Sequence, residues 1–269
     1  MGNASLHDAY NRSAFFPNSV KRRRGKPRGF DFYVKWSIGN WAELVALRFC
    51  REVLSEKLGV TAFRYGYSSG RIPRSLEEFE AIEREREELE KFGKRPNLLI
   101  YDRTFAEGRW GELEGIVKKP DDEIASLVHE ALAAAEVETS LWSVKRAKQL
   151  SFTVKEEDVQ RLQNWRSRFG IPILVFQVFV DELHFAVLDA IVREGKLKRD
   201  RSTGKPTHFY PVTPDTRLAD IEDVKVKAKL EFYENGKLVV FPVISGGKFV
   251  NINEGAIKRL SALLKRSKP

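Results

Sequence analysis

The sequence predicts an α/β fold: a central mixed β-sheet flanked by helices, with a β-hairpin and a short helix at the C-terminus. The first observation is a strand, helix, strand order over Leu150–Val154, Glu156–Phe169 and Ile171–Val180, which is typical of a crossover connection. The last of these segments is almost wholly apolar, as expected of a strand covered on both faces. Finally, Asn235-Gly236 lies between two strand-like segments, which is a strong hairpin signal.

Helices and strands alternate along the chain before this crossover. Apolar residues recur every three or four positions between Asn40 and Leu58, and Gly59 follows, so an amphipathic helix is predicted with Glu43 in its first turn. Apolar runs bounded by turn residues predict strands at Val60–Tyr65 and Leu98–Asp102. The other elements predicted here are an exposed helix over residues 75–91, a helix over residues 121–133 and a strand containing Glu136.

The C-terminal third is more basic. His184–Val192 is predicted to be a sheet-edge strand, and Arg193–His208 is the most basic loop of the chain. Strands over residues 227–233 and 237–243 form the hairpin, and Gly255–Lys265 forms the short basic helix. We expect one compact unit of three parts: a basic N-terminal arm over residues 1–38, a core over 39–192, and the C-terminal elements over 193–269 packed on it.

Composition restricts the class of protein. The 269 residues carry a formal charge of +9 but include 38 acidic residues, a balance that favours polyanionic partners. Cys50 is the only cysteine, which excludes a disulfide framework and a cysteine-based zinc site. No apolar run approaches the ~20 residues of a membrane span, and no signal-peptide pattern is present. We therefore expect an intracellular, cytoplasmic protein without a membrane partner.

Two carboxylates mark the candidate chemistry. Glu136 and Glu138 are separated by one residue, so they lie on one face of their strand, where two acids can bind a divalent metal. Basic residues follow closely, at Lys145, Arg146 and Lys148. An anionic substrate would meet carboxylates and cations in one place, which points to phosphodiester hydrolysis. The alternative is an exposed strand face that happens to carry two glutamates.

Several motifs, taken in order, resemble the PD-(D/E)xK nucleases, and in particular type II restriction endonucleases of the AccI kind. The resemblance covers roughly residues 39–192. The segments that carry it are Gly39-Asn-Trp-Ala-Glu43, Gly93-Lys-Arg-Pro96, Glu136-Val-Glu-Thr-Ser, Leu150–Asp158, Gly170-Ile-Pro and Phe176-Gln-Val-Phe179. It implies a restriction-endonuclease-like core and a prokaryotic restriction-modification enzyme. Such an enzyme acts as a homodimer and makes sequence-specific, Mg²⁺-dependent double-strand cuts in DNA, leaving 5′-phosphate and 3′-hydroxyl ends.

The resemblance also assigns roles to residues. Glu136 matches the first metal ligand of the E-x-K element, and Glu138 stands where the usual lysine would be, as an E-x-E variant. Glu43 matches a supporting acid. The metal ligands would be Asn97, Glu136 and Glu138. The cation that the missing lysine would supply must come from elsewhere, and spacing does not choose among the nearest candidates, Lys145, Lys148 and Lys155.

Asn97 departs from the family pattern, which has aspartate after Arg95-Pro96. An amide oxygen brings no negative charge to Mg²⁺. Three explanations remain open: an inactivated variant made to trap a substrate complex, a natural protein that binds without cleaving, or a motif in which Asp102 supplies the acid. We expect Asn97→Asp to create or raise Mg²⁺-dependent cleavage.

Two loops are the best candidates for contacts with DNA grooves and phosphates, the Arg64–Ser69 loop and the Arg193–His208 loop, although both could be ordinary solvated loops. The predicted DNA-binding residues are Arg64, Tyr65, Ser68, Ser69, Lys145, Arg146, Lys148, Lys198, Arg199 and Arg201. Two other functions fit the same sequence: a repair or junction nuclease without sequence preference, and a DNA-binding protein without turnover.

Overall fold

The computed structural model describes residues 29–67, 76–140, 143–145, 150–201, 203–232 and 238–266. Its α-helices are α1 (Gly29–Phe49), α2 (Ser55–Leu58), α3 (Leu76–Leu89), α4 (Arg103–Glu107), α5 (Trp110–Gly115), α6 (Asp121–His129), α7 (Glu156–Phe169), α8 (Leu188–Glu194) and α9 (Glu254–Arg266). A π-helical segment, Cys50–Leu54, joins α1 to α2. Within the described ranges no helix has both the length and the apolar character needed to cross a membrane.

The strands form a large sheet and a small one. They are β1 (Val60–Arg64), β2 (Leu98–Asp102), β3 (Ala133–Thr139), β4 (Ser151–Lys155), β5 (Ile173–Val178), β6 (Glu182–Val187), β7 (Lys196–Arg199), β8 (Pro206–Pro211), β9 (Arg217–Phe232) and β10 (Leu238–Val250). The seven-stranded main sheet has the order β1-β2-β3-β5-β6-β9-β10, and the second sheet has the order β4-β8-β7. The predicted α/β class with a mixed sheet flanked by helices is confirmed.

The crossover starts one strand earlier than predicted. β3 and β5 pair in parallel, whereas the other neighbours in the main sheet are antiparallel. The chain returns from β3 to β5 through β4 and α7, and β4 pairs with β8 in the small sheet instead of joining the main one. Glu156–Phe169 is helical as predicted, and Gly170 ends the helix in the left-handed conformation at φ 71°.

Two apolar layers cover the main sheet. On one face, here called the α1 face, Ala133 and Ala135 of β3 pack in a cluster with residues of α1 and α9. On the opposite face, here called the α7 face, Ala134 packs in a second cluster with residues of α6 and α7. Because strand residues alternate between faces, Glu136 and Glu138 belong to the α7 face.

Three predicted elements differ from the structure. α1 begins at Gly29 rather than Asn40, so part of the expected N-terminal arm is helical and Glu43 lies well inside the helix, not in its first turn. β6 is an interior strand, because β9 pairs with its second edge, and the chain becomes helical at Leu188. The Arg193–His208 loop is largely a hairpin of β7 and β8.

The C-terminal hairpin is longer than predicted. β9 and β10 pair from Asp220↔Val250 to Phe232↔Leu238, whereas only the first residues of β9 pair with β6. The two strands bend where they leave the sheet: Asp223 has a φ of 56°, and a Cβ on Gly246 would lie 2.5 Å from the Asp223 carbonyl oxygen. We call residues 224–232 and 238–246 the arm.

Candidate active site

A buried ion pair lies at the centre of the predicted site. Glu136 is 2% exposed, and its Oε1 lies 2.5 Å from Nζ of Lys94, in the loop that precedes β2. The same ammonium lies 3.5 Å from Oδ1 of Asp158, in the first turn of α7. Among the described residues, the second oxygen of Glu136, Oε2, is buried and has no hydrogen-bond partner. One cation is therefore shared by two carboxylates, and one carboxylate oxygen still needs a partner.

Asn97 joins α1 to β3 through both ends of its amide. Nδ2 donates to Oε1 of Glu43 over 2.9 Å, and Oδ1 accepts from the backbone N–H of Val137 over 2.7 Å. The backbone N–H must meet an oxygen, so these contacts fix the orientation of the amide. The Asn97 oxygen is thus engaged with the strand backbone, and the NH₂ group faces the acid.

A buried network of polar side chains anchors Arg95, the residue that precedes Pro96 and Asn97. Nε of Arg95 lies 2.8 Å from Oδ1 of Asp121, and both side chains are fully buried. The Tyr65 hydroxyl donates to the same Asp121 oxygen and accepts from Nε1 of Trp165 over 2.9 Å. Tyr65 has no exposed surface, which corrects the prediction that it contacts DNA. Its polar end is satisfied inside the protein, where phosphates cannot reach.

Burial dominates the electrostatics of the acids. It raises the pKa of Glu43 to about 7 and the pKa of Glu138 to about 8. The pKa of Glu136 is also raised by burial, although the charge of Lys94 opposes the shift. Burial alone would lower the pKa of Lys94, but Glu136, Asp158 and Glu138 outweigh it and the pKa is raised. Lys94 therefore stays protonated. Its single ammonium group faces three acids, Glu136, Asp158 and Glu138.

A protein-family model matches the part of the chain that contains most of this site. The model of the AccI restriction endonuclease family matches residues 20–149. This segment, a little under half of the chain, contains Glu43, Asn97, Glu136 and Glu138, and the predicted resemblance to the AccI family is confirmed over it. The predicted motif segments from Leu150 onward lie outside the match. The match supports a nuclease.

The other comparisons add little to the AccI family match. No curated protein matches the chain. Among solved structures, Hjc, a Holliday junction resolvase from the archaeal hyperthermophile Archaeoglobus fulgidus, is similar over 60% of this chain and 84% of its own, with 17% identity and a TM-score of 0.27. A likeness this low does not transfer a fold or a role.

The donor set of the site suits a hard cation held by few protein ligands. Mg²⁺ commonly binds one or two carboxylates and keeps several waters. Glu136, with its buried unpartnered oxygen, and Glu138 provide such a pair. Asn97 offers its oxygen to Val137 instead. Across the described ranges no group of three or more His, Cys, Asp or Glu side chains is arranged to hold a metal ion. An ion held by Glu136 and Glu138 would therefore take its other ligands from water and substrate.

A polar row extends the site across the sheet. Glu138 pairs in register with Gln177 of β5, and Gln177 pairs with His184 of β6. Gln177 is fully buried; its Oε1 accepts from the backbone N–H of Thr153 over 3.2 Å, and its Nε2 has no partner among the described residues. The Nε2 group of Gln177 is therefore a hydrogen-bond donor left unused by the described residues, on the strand position next to Glu138.

The remaining predicted residues lie at the rim or outside the described ranges. Lys155 lies at the rim, 44% exposed, with Nζ 3.7 Å from Oδ2 of Asp158. Arg64 is half-buried at the end of β1, and its charge lowers the pKa of Glu43 against the larger effect of burial. The other exposed predicted residues are Lys145, Lys198, Arg199 and Arg201. The predicted DNA contacts Ser68, Ser69, Arg146 and Lys148 lie outside the described residues.

Asp102 has a structural task that accounts for it. It ends β2 and caps α4, accepting from the backbone N–H groups of Thr104 and Phe105. This position argues against the explanation in which Asp102 replaces the missing aspartate. Sequence reasoning also missed Lys94 and Asp158. The only available signal was that acids on a buried strand need a counter-charge, and Lys94 is in the Gly93-Lys-Arg-Pro96 segment that carried the resemblance.

Proposed function

We propose that the chain is a Mg²⁺-dependent DNA endonuclease whose reacting phosphate binds beside Glu136 and Glu138. The observation that carries this proposal is the buried Glu136 carboxylate within the segment matched by the AccI family: Lys94 holds one of its oxygens, and the other has no partner among the described residues. A buried carboxylate oxygen without a partner is costly unless something that binds at the site satisfies it.

Bound Mg²⁺ would polarise a phosphoryl oxygen and lower the pKa of an attacking water. Glu136 and Glu138 would hold the ion, because both lie on the α7 face. Burial raises the pKa of both carboxyl groups, and the nearby positive charge of Lys94 does not offset it. Asn97 would act as a positioning residue, because its amide ties the middle of α1 to the backbone of β3 between the two glutamates.

Lys94 would supply the cation that the E-x-E motif lacks. Its ammonium is anchored by Glu136 and Asp158, so its position is fixed before substrate binds. A fixed ammonium can stabilise the negative charge that develops on the phosphate in the transition state without reorganising. Lys155, at the exposed rim, would contribute through the field of the site rather than through a fixed contact.

The finer features follow from the family pattern and from the chemistry of duplex DNA. We infer sequence-specific, type II double-strand cleavage that leaves 5′-phosphate and 3′-hydroxyl ends. Two strands of opposite polarity are cut by two symmetry-related sites, so a homodimer is the expected assembly. Light scattering of the purified protein, free and bound to duplex, tests this assembly.

The decisive experiment incubates the full chain with phage DNA in Mg²⁺, followed by sequencing of the fragment ends. Glu136→Gln is the inactive control, and a panel of duplexes and four-way junctions tests the substrate class. Discrete ends sharing one sequence would support a restriction enzyme. Ends at structured DNA without sequence preference would indicate a junction nuclease. No cleavage by the chain or by its Asn97→Asp form would overturn the nuclease proposal.

A second candidate function, DNA binding without turnover, is favoured by Asn97. The amide leaves the site with one acid fewer than the family pattern, and its oxygen is already engaged. This candidate predicts equal DNA affinity in Ca²⁺, Mg²⁺ and EDTA, and intact DNA in each case. Cleavage by the unaltered chain would exclude it.

A further inference from the structure

The arm carries a row of lysines at one end of the main sheet. β9 pairs with β6 only over Arg217–Asp220, whereas its pairing with β10 continues to Phe232. Beyond Asp223, β10 is the one strand among the described residues that pairs with β9. Lys225, Lys227 and Lys229 are exposed there at every second position, so their side chains lie on one face of the arm.

The other face of the arm is apolar. Its contacts show which face of the arm continues the α1 face of the main sheet and which continues the α7 face. Val224 and Ile244 pack in the cluster on the α1 face, and Ile244 pairs in register with Val226. Val226 and Leu230, both exposed, continue the same row. The lysines occupy the alternate positions, so they point to the α7 face, the face on which Glu136 and Glu138 lie.

The direction of β9 aligns the arm with the candidate active site. β3 is parallel to β5, and the two antiparallel steps through β6 make β9 parallel to β3. The register joins Glu138, Gln177, His184 and Arg217 in one row across these strands. Three strand spacings separate β9 from β3 by about 14 Å. The arm therefore extends past the C-terminal end of β3.

Lys145 lies at the same end of the sheet. Its backbone N–H donates to Oδ2 of Asp181, the residue that immediately precedes β6, over 3.3 Å. The carboxylates, Lys145 and the arm thus all lie toward the end of the main sheet at which β3 ends. A rod-shaped polyanion that places a phosphate at Glu136 would pass Lys145 and reach the arm.

We propose that Lys225, Lys227 and Lys229 form a phosphate-backbone contact for duplex DNA held at the Glu136–Glu138 site. The inference rests on the proposed function. The row spans about 13 Å, and duplex DNA carries a charge every ~1.7 Å of its axis, so the three ammonium groups can meet separate phosphates.

The test compares two triple variants with the same change in net charge. K225Q/K227Q/K229Q removes the row, and K35Q/K258Q/K265Q removes three exposed lysines from α1 and α9, which cover the opposite face. Binding to a labelled linear duplex is followed by anisotropy in Ca²⁺ over a series of KCl concentrations. Thermal unfolding confirms that both variants are folded.

For the arm variant, we expect the slope of log K against log salt to become shallower by about 2 to 3, since each lysine-phosphate contact contributes about 0.9. The control variant should keep the slope of the unaltered chain. Equal affinities and slopes for the two variants, while the unaltered chain binds DNA, would overturn the arm inference and leave the proposed function standing. If the unaltered chain shows no salt-dependent affinity, both proposals fail.

Discussion

Asn97 donates a 2.9 Å hydrogen bond from Nδ2 to Oε1 of Glu43, a carboxyl group whose pKa burial raises to about 7. The neutral amide lets an acid from the middle of α1 approach β2 without like-charge repulsion. An aspartate at position 97 would instead place two carboxylates within hydrogen-bond distance of each other. Two carboxylates that share a site cannot both ionise unless a cation lies between them.

Asn97→Asp should therefore make the protein depend on a divalent ion. In EDTA at alkaline pH, we expect the free energy of unfolding measured with urea to be about 1 to 3 kcal/mol lower than that of the unaltered chain. The reason is that Glu43 loses its hydrogen-bond donor and has a second negative charge beside it. Mg²⁺ should restore the loss and raise cleavage of plasmid DNA. Asn97→Ala is the matched control, since it loses the hydrogen bond but should gain no Mg²⁺ response. Equal cleavage by the unaltered chain and the Asn97→Asp variant would show that position 97 is wrongly assigned.

Lys94→Met should be among the most damaging single changes at the site. It leaves Glu136, only 2% exposed, without its counter-charge, and breaking a buried pair costs about 3 to 5 kcal/mol. Lys155→Met removes a lysine that is 44% exposed and should cost about 1 kcal/mol or less. Urea unfolding in EDTA measures both. If Lys94→Met/Glu136→Met is no more stable than Lys94→Met, the ion pair is not the source of the loss.

The limits of sequence reasoning follow from how far apart partners lie in the chain. β2 and α7 have the predicted bounds, because apolar runs, turn residues and Gly170 are local signals. Glu136 and Glu138 could be found because two acids on one strand face are also a local pattern. Lys94 could not, because its partner is 42 residues away. Tyr65 was misplaced for the same reason: Asp121, which satisfies its hydroxyl, is 56 residues further along.

Tyr65→Phe tests the structural role of that residue. The change removes the hydroxyl that bridges Asp121 and Trp165 but keeps the aromatic ring in the core. We expect a loss of about 1 to 2 kcal/mol in urea unfolding, because two buried polar groups lose a partner. DNA affinity of the folded variant should not change. A fall in affinity at full folding would return Tyr65 to the DNA interface.

The acids with raised pKa values make the free energy of unfolding depend on pH, and the sign of this dependence can be stated. In the unfolded chain Glu43 and Glu138 titrate near their ordinary value of 4.5, whereas their folded pKa values are about 7 and about 8. The folded state binds the extra protons between these values, so the free energy of unfolding should fall as the pH rises from about 5 to 8.

Glu138→Gln identifies the source of that dependence. The variant should unfold with a shallower pH dependence than the unaltered chain, because one of the groups that take up a proton on folding is gone. Glu87→Gln, which changes an exposed helical residue, should keep the original slope. Mg²⁺ should stabilise the unaltered chain more at pH 8 than at pH 5, because the ion competes with the bound protons, and Glu138→Gln should reduce this difference. Parallel pH profiles for the two variants would mean that Glu138 ionises as an ordinary surface acid, and the two-carboxylate cation site would lose its second member.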